Sequence, residues 1–159
     1  MRVTKPRVPV FRHTFLFEPG TWTANGQFWE RGEIERAGQG LSIVRHTSVI
    51  WEIEGTMEIL GEPPARFQHT YRITVPHAGA RIVPWQSKNP AIGTLTGVFF
   101  VADDTIISSF QSSDGEFVGS EHMTYLAPDR YQARGLFLAS AAVMSARSME
   151  LIRKVQGEQ

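Results

Sequence analysis

Three side chains able to move protons or fix a polar group fall on positions that the hydrophobic pattern turns inward: His69, Tyr71 and Glu121. Along residues 66–75, Phe67, His69, Tyr71, Ile73 and Val75 share one parity, and Arg66, Gln68, Thr70, Arg72 and Thr74 share the other. Successive side chains of a strand point to opposite faces, so His69 and Tyr71 are expected among the apolar residues. Glu121 runs with Phe117, Met123 and Tyr125, and His122 with Val118, Thr124 and Leu126, which places Glu121 inside. Arg147 is a fourth candidate for an inward polar group, and a buried carboxylate must be paired or protonated. Trp51, Trp85, Phe110 and Tyr125 are candidate aromatic walls around this set. The combination predicts a pocket that binds a small, largely apolar or aromatic molecule and fixes its polar end. The same residues support an alternative: a cofactor-free isomerase, lyase or cyclase, with His69 or Glu121 shuttling a proton and Tyr71 stabilising an enolate-like oxygen. Each residue also has a plainer reading, the rings as core and the polar trio as a satisfied hydrogen-bond network between strands.

Other chemistries lack their residues. The chain has no cysteine, and its histidines at 13, 46, 69, 77 and 122 form neither His-x-His nor HExxH, so no metal site is expected. Haem held by one inward histidine is a minor alternative. The stretch Gly93-Thr94-Leu95-Thr96-Gly97 does not open a helix and is no phosphate cradle, and no Gly-x-Ser-x-Gly elbow is present. Sixteen basic residues balance sixteen acidic ones, which argues against a nucleic-acid or anionic-membrane partner. No apolar run approaches the ~20 residues of a membrane span. The basic start lacks an apolar run of signal-peptide length, so a cytoplasmic protein is expected.

The elements that must position these residues read as short antiparallel strands. Residues 93–126 are three consecutive strands joined at Asp103-Asp104 and Ser113-Asp114-Gly115, since Asp-Gly between alternating runs tolerates the positive φ of a tight hairpin. Residues 10–17 read as the first strand and 21–29 as the next, with Asn25-Gly26 a bend within it. Residues 32–40 are expected to be a loop or weak edge strand, 41–47 and 49–60 strands, and 61–64 a turn. A short strand at 81–85 leads into a polar loop, and residues 85–92 form a candidate lid at the barrel mouth. Residues 131–138 and 143–154 are two last strands, although 139–149 also has helix-forming composition. The final strand, poor in charge, is a candidate edge for a homodimer. The sum is an all-β chain: one antiparallel up-and-down barrel of about eight to ten strands over residues 10–156, preceded by an extended arm at 1–9. A chain of 159 residues is long enough to bury roughly 70% of its unfolded surface without a covalent staple.

The opening Phe17-Glu18-Pro19-Gly20-Thr21-Trp22 resembles that of the calycins, the lipocalin and fatty-acid-binding-protein group, whose first strand carries Gly-x-Trp. The resemblance implies a calycin-like barrel with Trp22 closing its base beside a late-strand arginine, Arg147 or Arg153. The chain departs from secreted lipocalins in lacking cysteines and a signal peptide, which points to an intracellular barrel.

Overall fold

The computed structural model describes residues 11–90 and 92–155. These form ten strands: β1 (Gly20–Glu30), β2 (Ile34–His46), β3 (Ile50–Ile59), β4 (Ala65–Thr74), β5 (Ile82–Asn89), β6 (Gly93–Ala102), β7 (Thr105–Ser112), β8 (Phe117–Ala127), β9 (Arg130–Ala139) and β10 (Ala142–Arg153). Each strand lies beside its sequence neighbours, and β1 pairs with β10, so the sheet closes in the order β1-β10-β9-β8-β7-β6-β5-β4-β3-β2. The all-β, up-and-down antiparallel barrel expected from the alternation is therefore the architecture found, with no helix among the described residues. The two predicted hairpins turn where expected, with Asp103 at φ 53° and Gly115 at φ 74°. The proposed arm at residues 1–9 lies outside the described residues.

Tertiary context overrides several local readings. Residues 11–19 are not a strand: they cross one end of the barrel, the Glu18 N–H donating to the Thr14 carbonyl at 3.1 Å and Leu16 taking φ 71°. A barrel exposes the apolar end of its lumen unless something covers it, and Phe15 and Leu16, 5% and 0% exposed, do so here. Residues 34–40 are not a loop but the first half of β2, paired with β1 throughout and with β3 from Gly38 onward. Asn25-Gly26 runs straight through β1 without a register shift. A Cβ on Gly26 would overlap the Ser148 carbonyl of β10, which explains a glycine in mid-strand.

The candidate lid is also corrected. Gln86 to Asn89 belong to β5, whose buried positions Val83, Trp85 and Ser87 alternate with exposed ones, so the polar loop is the outward face of a strand. Residues 139–149 are not helical: Ser140 and Ala141, at φ 48° and 64°, turn β9 into β10. Because β10 pairs with both β9 and β1, it offers no free edge, and the ground for a homodimer through that edge falls away.

The barrel is not equally well zipped. On the β5 side, β4 is in register only from Tyr71 to Ile73, opposite Ser87 to Trp85, while its stretch from Ala65 to Thr70 pairs with β3 alone. The packed core fills the capped end, around Trp22, Ile53, Ile73, Val83, Ile106 and Tyr131. Over Trp22 lies the guanidinium of Arg153, with Cζ 5.9 Å from the ring centroid. Arg153 also binds Glu18 at 3.2 Å and the Pro19 carbonyl at 2.8 Å. Of the two arginines offered for the barrel base, Arg153 takes the place, and Arg147 is free for another task.

Candidate functional site

Beyond the packed end, the interior opens because glycines replace side chains on the inward parity. Each lies opposite a large inward group on the neighbouring strand: Gly55 opposite His69, Gly97 opposite Trp85 and also Phe110, and Gly119 opposite Phe110. A Cβ at Gly97 would stand 2.6 Å from the Trp85 indole, and one at Gly55 or Gly119 would run into His69 or Phe110. The rings thus lie flat against bare backbone, and the middle of the barrel keeps a cavity of about 70 Å³. That is room for several waters or a small ring system.

His69, Tyr71, Trp85, Phe110, Glu121 and Arg147 all line this cavity, so six of the eight residues predicted from sequence converge. The rings form an arc. His69 and Tyr71 lie 5.0 Å apart by centroid, Tyr71 meets Trp85 edge-on at 4.6 Å, and Trp85 lies 5.7 Å from Phe110. Phe110 continues the arc to Phe137 at 6.0 Å. Glu121 of β8 and Arg147 of β10 form an ion pair across the intervening strand. They reach each other because Gly135 of β9 is the register partner of both, and its missing side chain leaves the passage open. Glu121 faces in and His122 out, as the parity argument predicted.

Burial sets the protonation states. Desolvation first, and the nearby Arg147 charge second, hold the His69 pKa down at about 4, so the imidazole is neutral at pH 7. Burial raises the Tyr71 pKa, opposed by Arg147, and the phenol keeps its proton. Arg147 is drawn below its usual value by desolvation, but a guanidinium remains cationic at neutral pH.

Trp51 and Tyr125 belong elsewhere. Trp51 stacks on His46 with centroids 3.7 Å apart and planes 3° from parallel, and Phe17 meets it edge-on at 6.0 Å. Tyr125 packs edge-on to Tyr131 at 5.5 Å and to Phe11 at 4.9 Å. Both share the inward parity, but they stand at the capped end, where the crossing segment occupies the lumen. Beside them His13 bridges the Tyr131 hydroxyl and the Asp103 carbonyl, each at 2.7 Å, which ties that segment to β9 and to the β6–β7 turn.

The sequence reading missed the glycines and a soft wall formed by Met57, Met123 and Met149. The signal was present: Gly55, Gly97, Gly119 and Gly135 all stand on inward parities, where a glycine marks a close approach. Among the described residues no group of three or more His, Asp or Glu is arranged to hold a metal ion.

No family model matches the sequence, and no curated protein matches it. Among solved structures, the chain is similar to the S-type phycobiliprotein lyase CPES from Guillardia theta, with a TM-score of 0.64 over 87% of this chain and 89% of that one at 9% identity. At that identity the likeness is one of fold, a calycin-like barrel. An N-terminal dehydratase from the difficidin assembly line aligns at TM-score 0.27 and 10% identity over 90% of this chain and 80% of that one, too distant in shape to carry an argument.

Proposed function

We propose that this barrel binds a small, largely apolar or aromatic molecule in its interior, with the Arg147–Glu121 pair, Tyr71 and His69 holding the polar end. The observation that carries the reading is the matching of inward glycines to rings, which keeps open a lumen that Val, Leu or Ile at the same positions would fill. An enclosed ion pair is weak support for stability, because desolvation offsets most of the attraction, so its place beside a cavity argues for a ligand. The fold shared with a phycobiliprotein lyase agrees with small-molecule handling in such a barrel.

The enzymatic alternative, an isomerase, lyase or cyclase, is the second reading. A general acid or base works best with a pKa near the working pH, and His69 at about 4 is well below it. Glu121 is held against Arg147, which leaves Tyr71 and Arg147 as donors to a developing oxyanion and no ready base.

The test is titration with the uncharged dye N-phenyl-1-naphthylamine, together with native mass spectrometry of the purified protein for a co-purifying small molecule. Ala133 lines the cavity and is 3% exposed, so Ala133→Leu should narrow it and weaken the dye by about tenfold or more with the circular dichroism unchanged. Dye binding that ignores this substitution, with no co-purifying molecule, would put the cavity out of use.

A further inference from the structure

The cavity holds two opposite charges that cancel. Arg147 and Glu121 are the charged residues of its lining; all its other residues are apolar, hydroxyl-bearing or, in His69, neutral at pH 7. Their side chains retain 29% and 18% of their surface; both line the cavity, and Arg147 also borders a pocket of the outer wall beside His122 and Arg134. A guanidinium offers five N–H donors. Arg147 commits Nη2 to Glu121 and makes no other hydrogen bond or ion pair with the described residues. The Trp85 indole N–H, also on the lining, is buried without a hydrogen-bond partner, and the Tyr71 hydroxyl feels the Arg147 charge. Donors are therefore left over, while positive charge is not.

We propose that Glu121 is a specificity residue: by neutralising Arg147 it makes the cavity select an uncharged, carbonyl-bearing aromatic molecule, such as an aryl ketone or quinone, and reject the carboxylate that Arg147 alone would attract. This rests on the binding reading above and names its ligand class. A carboxylate entering the site leaves one uncompensated negative charge in a region of low dielectric, which costs far more than a neutral carbonyl accepting the same N–H and O–H groups. A cation fares no better, because Glu121 already faces Arg147. The arc from Tyr71 through Trp85 to Phe110 supplies the surface for a flat ring. Gly135 makes the device possible, since the pair spans non-adjacent strands only where the strand between them has no side chain.

The experiment compares three probes on one ring system: 2-acetylnaphthalene, 2-naphthoate and 2-ethylnaphthalene, titrated calorimetrically at pH 7. The wild-type chain should bind the ketone about tenfold or more tighter than either of the others, the expected gain for a hydrogen bond from a charged donor. Glu121→Gln keeps the side-chain shape and frees the Arg147 charge, so 2-naphthoate should gain about tenfold or more and overtake the ketone. Wild-type preference for 2-naphthoate, or an order unchanged by Glu121→Gln, overturns the proposal while leaving cavity binding intact. Failure of all three probes to bind overturns the binding reading itself. Should Glu121→Gln not fold, the uncharged pair Glu121→Gln with Arg147→Gln replaces it: the ketone and 2-ethylnaphthalene should then bind within about threefold of each other, and a persisting ketone preference sinks the idea.

Discussion

His69 links the cavity to stability. Its pKa is 6.5 in the unfolded chain and about 4 in the barrel, so between these values the unfolded state takes up the proton first. The neutral ring's contribution is therefore full above pH 6.5, is lost as pH falls towards 4, and changes no further below that. The span corresponds to at most about 3 kcal/mol. His13 is lowered in the same sense by its own burial at the capped end, so it adds to the same acid loss. Replacing His69 with Asn should flatten the fall in urea midpoint between pH 7.5 and 4.5 without abolishing it; a slope identical to wild type would mean that the ring titrates freely. Arg153 makes a second prediction at this scale. Arg153→Ala removes the group over Trp22 together with the Glu18 and Pro19 contacts, and should cost about 1–3 kcal/mol by chemical denaturation. Arg147→Ala, by contrast, should change probe affinity more than it changes stability.

Among the elements, the glycines show which positions serve conformation and which serve space. Gly115 has φ 74° in the β7–β8 turn, and a Cβ there meets nothing within 4 Å, so Gly115→Ala bears only backbone strain of about 1–2 kcal/mol. Gly97 lies in mid-strand, where a Cβ would stand 2.6 Å from the Trp85 ring and 2.7 Å from the Ser109 carbonyl. Gly97→Ala must displace the indole or the β7 backbone and should cost about 1–3 kcal/mol, with a changed near-ultraviolet dichroism that Gly115→Ala does not show. Equal, unperturbed spectra for the two would mean that Trp85 does not rest on Gly97. Strand parity alone assigned Glu121 inward and His122 outward; the same rule, which the sequence reading did not carry to the glycines, puts Gly97 inward with Leu95 and Phe99. That a ring from β5 covers Gly97 depends on register, which no local pattern contains.

In the whole molecule, closure is complete but uneven. From Ala65 to Thr70 β4 lacks a second partner, as β5 does outside Trp85 to Ser87, so backbone amides of β4 there that do not bond to β3 should exchange with solvent sooner than those of β1 and β10. Exchange as slow as in β1 would mean that the seam is sealed by other contacts.

Alternation, turn residues and the Gly-x-Trp opening were enough to determine an all-β up-and-down barrel, most of its strands, two of its hairpins and the inward parity of His69, Tyr71 and Glu121. Those features are local, because a strand's two faces and a turn's positive φ are written within a few residues. Only the tertiary structure decided that residues 11–19 cap the barrel, that β10 has no free edge, that Arg153 attends Trp22, and that Trp51 and Tyr125 stand at the sealed end while Arg147 reaches Glu121 over Gly135. Each of these depends on groups distant in sequence meeting at one height of a closed cylinder, and that height is set by the registers of all ten strands together.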